Sequence, residues 1–133
     1  MNENRKDVGA RGESLALGYL AQKGFRLKKR NYRFQRGEID LIMESPEGDL
    51  VFVEVKASRQ KITGHPLEWI TPNKQRQIQK VAQGFCFQNP GLRDRSMRFD
   101  VVGIELHPTS MNEYESIQHI PNAFLPDLAH YSR

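Results

Sequence analysis

The chain has a single cysteine, Cys86, so it cannot close an internal disulfide and must hold its fold by packing. No stretch nears the roughly 18 consecutive apolar residues of a membrane-spanning helix. The opening "MNENRKDVGARGE" lacks the apolar segment of a signal peptide. His65, His107, His119 and His130 have no zinc-ligand spacing, and loop or surface positions are expected for them. There is no HExxH, no phosphate-cradling glycine loop, no repeat and no low-complexity segment. These absences exclude a disulfide scaffold, a zincin and a P-loop enzyme. They leave a cytoplasmic protein with no membrane partner as the expectation.

What is present suits one domain over residues 1–133, with residues 1–6 frayed and residues 121–133 left unassigned. Hydrophobic residues make up 38% and charged residues 27%, so the body of the chain is expected to fold. The net charge of +4 is modest, and it permits a polyanionic partner without requiring one. Its distribution matters more. "RLKKRNYRFQR" at 26–36 and "NKQRQIQK" at 73–80 are basic, whereas acids concentrate between residues 38 and 54.

Apolar residues at Val8, Gly12, Leu15, Ala16 and Tyr19 predict a helix over Asp7–Lys23, capped by Asp7 and ended by Gly24. Gly12 lies on the apolar stripe, where it would let the helix approach a sheet. Strands are predicted at Phe25–Phe34, Glu38–Glu44, Leu50–Lys56 and Met97–Leu106, with a short fifth strand near Glu115–Ile120. Gly64 and Pro66 break the loop after the third strand. Thr71-Pro72 starts a second helix that buries Ile78, Val81, Ala82 and Phe85 and stops before Pro90-Gly91. Helix, three strands, helix, strand implies an α/β fold, a mixed sheet with a helix on each face.

The central hairpin "GEIDLIMESPEGDLVFVEVK" holds charges where core strands carry valine or isoleucine. Ile39, Leu41 and Met43 should share a core face with Val51, Val53 and Val55. A five-residue loop at 45–49 meets that demand and sets Asp40 opposite Glu54; a three-residue loop sets Asp40 opposite Lys56. A four-residue loop needs a bulge. Both allowed registers cluster Glu38, Asp40, Glu54 and Lys56 at one end of the other face, alongside Ile42 and Phe52. Clustered carboxylates repel in low dielectric, and a hard divalent cation relieves that repulsion. A lysine beside them can balance charge and stabilise an oxyanion. The alternative is a cross-strand charge cluster at the surface, with Glu54 paired to Lys56.

"Asp40 … Glu54-Val55-Lys56" resembles the core motif of the PD-(D/E)XK nuclease superfamily. "RGESLALGYLAQKGFRLKKRNYR", "RGEIDLI", "VFVEVKASR" and "RFDVVGI" resemble the YraN-like family of predicted endonucleases, from about Gly12 to "HIPNAF" at 119–124. The layout is also similar to archaeal Holliday-junction resolvases. The resemblance implies a restriction-endonuclease-like αβββαβ core and Mg²⁺- or Mn²⁺-dependent cleavage of phosphodiester bonds in DNA, with branched or damaged DNA as candidate substrates. It implies Asp40, Glu54 and the Val55 carbonyl as metal ligands, Lys56 as the catalytic lysine, and Glu13 as the helix acid that completes the site. A homodimer is in keeping with the resolvase-like layout. Glu38 matches a family position to which no role is assigned.

Lys74 stands near the start of the second helix, where phosphates are favoured, and is a candidate DNA contact. Arg59, Lys61, Arg76 and Lys80 would extend that patch; a solvated basic face is the alternative for each. Asp100 either supports the site or, as the better reading, pairs with an arginine. Cys86 reads as a small core residue. Trp69 reads as edge packing, with base stacking as the alternative. The rival to a nuclease is a nucleic-acid-binding module of DNA repair or recombination with little or no cleavage; an RNA-processing nuclease is a third reading.

Overall fold

Alternating apolar strands and two amphipathic helices resolve into a five-stranded sheet between helices. The structure is a computed structural model, and it describes residues 4–65, 68–92, 94–110 and 112–124. The elements run α1 (Arg5–Gln22), β1 (Arg26–Phe34), β2 (Gly37–Glu44), β3 (Leu50–Ser58), α2 (Pro72–Gln88), a 3₁₀ turn (Pro90–Leu92), β4 (Met97–Leu106) and β5 (Tyr114–Phe124). The strands lie in the order β1-β2-β3-β4-β5. Only β3 and β4 are parallel, because α2 carries the chain back between them. This is the mixed α/β sheet, with the helix–three strands–helix–strand core, that the residue pattern predicts.

Helix α1 starts earlier than expected. Asn4, not Asp7, is its cap, and the Asn4 side chain accepts the Asp7 N–H at 2.8 Å. Residues 4–6 therefore cap and open the helix instead of fraying, and Asp7 adds a carboxylate to the positive end of the dipole. At the other end Gly24 takes φ 92°. The Phe25 N–H reaches the Leu20 carbonyl at 3.1 Å and the Gly24 N–H reaches Ala21 at 3.0 Å, a Schellman closure. The row Gly12, Ala16, Leu20 is buried. A Cβ on Gly12 would collide with the Ala57 side chain, so the missing side chain lets α1 lie against β3.

Each helix seals its own core. Ala16 and Leu20 of α1 pack with Leu41, Met43, Val51, Val53, Val102 and Ile104. Ile78, Val81, Ala82 and Phe85 of α2 pack with Ile42, Phe52, Phe99 and Val101. Thr71 caps α2, with Pro72 in its first turn. Cys86 is buried in that core.

The hairpin takes the five-residue loop: Glu44 pairs with Leu50 and Leu41 with Val53. One detail of the alternation differs. Ile39 packs in the α2 core, not beside Leu41 and Met43. The cause lies in β1, where Asn31 takes φ 53° between the rungs Arg30–Leu41 and Tyr32–Ile39. Arg30 then reaches Ala10 and Ser14 of α1, while Tyr32 stacks edge-on against Phe85 of α2. Strand β5 runs longer than the short stretch expected, and takes in Pro121 and Asn122. It is an edge strand, where a residue without an N–H is tolerated. Pro66 and residues 125–133 of the unassigned tail lie outside the described residues.

Candidate active site

The rungs of the β2–β3 ladder end at Leu41–Val53. Beyond them the Asp40 carboxylate takes over a backbone's role: Oδ2 accepts the Val55 N–H at 2.8 Å. Asp40 also shares a side-chain hydrogen bond with Glu54. The two acids are thus adjacent, as the hairpin register predicts.

Their electrostatics are unusual. Glu54 is buried, yet its Oε1 has no hydrogen-bond partner. Burial raises its pKa, against the opposing pull of Lys74. Burial, and then the charge of Glu54, push Asp40 up to about 8, against the lowering effect of the Val55 N–H. The pair as a whole therefore holds its last proton more tightly than an isolated carboxyl does.

Glu13 reaches the same neighbourhood from α1. Its pKa is raised by burial first, and the nearby Asp40 and Glu38 charges add to this. Asn31 Nδ2 donates to Glu13 Oε1 at 2.9 Å and lies 3.2 Å from Glu38 Oε1. Arg30 Nε stands 3.7 Å from Glu13, and Arg33 Nε 2.9 Å from Glu38. Asn31 thus ties two acids together. The sequence offered only an asparagine inside a basic strand as a signal; its positive φ comes from the structure.

Glu54 pairs with the helix lysine: Lys74 Nζ lies 3.5 Å from Oε2. The Glu54–Lys56 pair weighed from sequence does not form, and Lys56 is exposed. Lys56, Val55, Glu54, Arg59 and Lys74 line one cleft of about 790 Å³. Its walls are the first turns of α1 and α2 and the end of β3. Trp69 closes one side. Its ring lies over Gly103, where a Cβ would collide with it, and its Nε1–H reaches the Thr63 carbonyl at 3.2 Å. Lys61 lines a smaller groove next door, of about 430 Å³, with Lys56 and Trp69. Arg76 donates to Asn73 at 3.1 Å on α2. Lys80 stands in a separate groove with Arg36, between the β1–β2 turn and α2.

Asp100 is not part of this cleft. It is fully buried, and Arg98 Nε lies 3.1 Å from Oδ1. His119 Nε2 lies 2.8 Å from Oδ2, and the Asn122 N–H donates to Oδ1 at 3.1 Å. The arginine pairing read from sequence is thus present. His119 departs from its expected surface role. Its side chain is 5% exposed, and its ring meets Phe25 edge-on.

The match to the uncharacterised protein family UPF0102 spans residues 12–104, which includes Glu13, Asp40, Glu54, Lys56 and Lys74. The chain belongs to that family. It is 43% identical over 122 residues to a UPF0102 protein of Pelobacter propionicus, covering 91% of this chain and 84% of the relative. A UPF0102 protein of Chlorobaculum parvum is 43% identical over 123 residues, covering 89% and 92%. One of Trichlorobacter lovleyi is 38% identical over 130 residues, covering 98% of each.

Among the described residues no group of three or more His, Cys, Asp or Glu side chains is arranged to hold a metal ion. Two features still fit a hard cation. Glu54 Oε1 is a buried oxygen without a donor, and the two adjacent carboxyls have raised pKa values, a repulsion that a cation would relieve. No helix among the described residues is long and apolar enough to cross a membrane.

Proposed function

We propose that the chain is a divalent-metal-dependent endonuclease that hydrolyses phosphodiester bonds in DNA, in the manner of the PD-(D/E)XK nucleases. The observation that carries this reading is the Asp40–Glu54 pair: two adjacent carboxyls with raised pKa values and one orphaned oxygen, of which Glu54 lines a cleft shared with Lys56, Arg59 and Lys74. Buried acids cost stability unless partnered, and this pair is incompletely partnered. Asp40 and Glu54 would hold Mg²⁺ or Mn²⁺, with the Val55 carbonyl and Glu13 as further ligands. The bound ion supplies a Lewis acid for the scissile phosphate and an acidified water.

The remaining work falls to this chain's side chains. Lys56 stands exposed at the cleft, where its ammonium orients the attacking water or neutralises charge growing on the phosphate oxygens. Arg59 and Lys61 hold flanking phosphates, and Lys80 and Arg76 extend the contact along α2. Branched or damaged DNA suits an open cleft without a base-reading helix.

The test is cleavage of linear, nicked and branched DNA with Mg²⁺ or Mn²⁺. Asp40→Ala and Lys56→Ala should each lower the rate by about 100-fold or more. Cleavage that survives both substitutions would rule out this mechanism. One observation favours the rival, a DNA-binding module without cleavage: among the described residues no three-ligand group is arranged for a metal. Calorimetry separates the two, since the rival binds DNA but takes up no Mn²⁺.

A further inference from the structure

The carboxylate at the heart of the cleft already has a cation, and it comes from an unexpected element. Lys74 belongs to the first turn of α2, where its backbone N–H is held by Thr71 Oγ1 at 3.1 Å. Its backbone is therefore fixed. Its side chain is 41% exposed, whereas that of Glu54 is 11% exposed. The ammonium lies 3.5 Å from Glu54 Oε2 at the end of four rotatable bonds, in a cleft open to solvent. The exposed ammonium end of this pair is screened by solvent. Glu54 Oε1 has no partner at all, so the ammonium leaves half of the carboxylate unsatisfied. A divalent cation on Glu54 would bring like charge against the ammonium and expel it.

Resting on the metal reading above, we propose that Lys74 is a displaceable counter-ion. It neutralises Glu54 while no metal is bound, yields that position to the divalent cation, and turns its ammonium to a DNA phosphate in the cleft. One weakly held monovalent charge leaves the carboxylate and a divalent one arrives. The cleft gains attraction for a polyanion from both the ion and the released lysine. Metal binding and DNA binding are then coupled through one side chain, and each strengthens the other. Lys74 is a positioning residue in this scheme, distinct from Lys56.

The test is Mn²⁺ binding by calorimetry at fixed pH, with thermal melts to establish that each variant is folded. Lys74→Met should bind Mn²⁺ about 2–5-fold more tightly than the wild type, since the competing charge is gone. Lys74→Gln is a second neutral variant with the same expectation, and Lys74→Arg should stay near the wild type. Duplex affinity is then measured by anisotropy with and without Ca²⁺. The gain in affinity that the metal produces should shrink by about fivefold in both neutral variants. Unchanged or weaker Mn²⁺ binding in Lys74→Met and Lys74→Gln would overturn the exchange while leaving the metal site intact. Absence of Mn²⁺ binding in every protein, wild type included, would overturn the metal reading and the exchange together.

Discussion

Asp100 and Glu54 lie one rung apart on neighbouring strands, since Asp100 pairs with Val53 and Glu54 with Val101. Both are buried acids. Asp100 has all its needs met by Arg98, His119 and the Asn122 N–H. Glu54 has the Asp40 carboxyl, one partly exposed lysine at 3.5 Å and a bare oxygen. Burial alone therefore does not mark a functional acid in this fold. Incomplete satisfaction does: the acid that holds the structure together is saturated, and the acid at the cleft keeps capacity for something else.

The largest expected effect breaks the saturated side. Asp100→Ala leaves the partly buried Arg98 with only its 3.4 Å contact to Asp49, strips His119 of its carboxylate and frees the hold on β5. It should cost about 3–5 kcal/mol in a urea unfolding series. A loss under 1 kcal/mol would mean that Asp100 is no structural anchor.

The cleft side should show the opposite dependence on charge. The folded-state pKa of Asp40 is raised from 3.8 to about 8. As pH rises past 4 the unfolded chain ionises this group and the folded chain does not. Stability from Asp40 is therefore full at low pH, declines from about pH 4 to about pH 8, and levels above. Asp40→Asn should remove that decline from the pH–stability curve, and an unchanged slope would contradict the assignment.

A smaller effect is expected at Asn31. Asn31→Ala removes the amide that ties Glu13 to Glu38. It should cost about 0.5–1.5 kcal/mol and move the Glu13 pKa further up, because the hydrogen bond now opposes burial. NMR titration of the Glu13 carboxyl reads this directly.

Much of this comparison was legible in the residues. Alternation of Leu41 and Met43 with Val51 and Val53 narrowed the hairpin to two registers, one of which, the one observed, sets Asp40 beside Glu54, and the Thr71-Pro72 start of α2 followed from capping chemistry. The face switch at Ile39 was not legible, because it depends on Asn31 taking a positive φ inside a strand. The Glu54–Lys74 pair was hidden for another reason. It joins a strand to a helix across a crossover, and local spacing carries no trace of which lysine wins. His119 looked like a surface histidine until the length of β5 set it against Asp100.

The most direct test of the Asp40–Glu54 centre is a carboxyl NMR titration of the wild-type protein with and without Mg²⁺. Without metal, Asp40 should titrate near pH 8, and Mg²⁺ should drive that transition to markedly lower pH as the cation takes the proton's place. An Asp40 that titrates near its ordinary value and ignores Mg²⁺ would contradict the account.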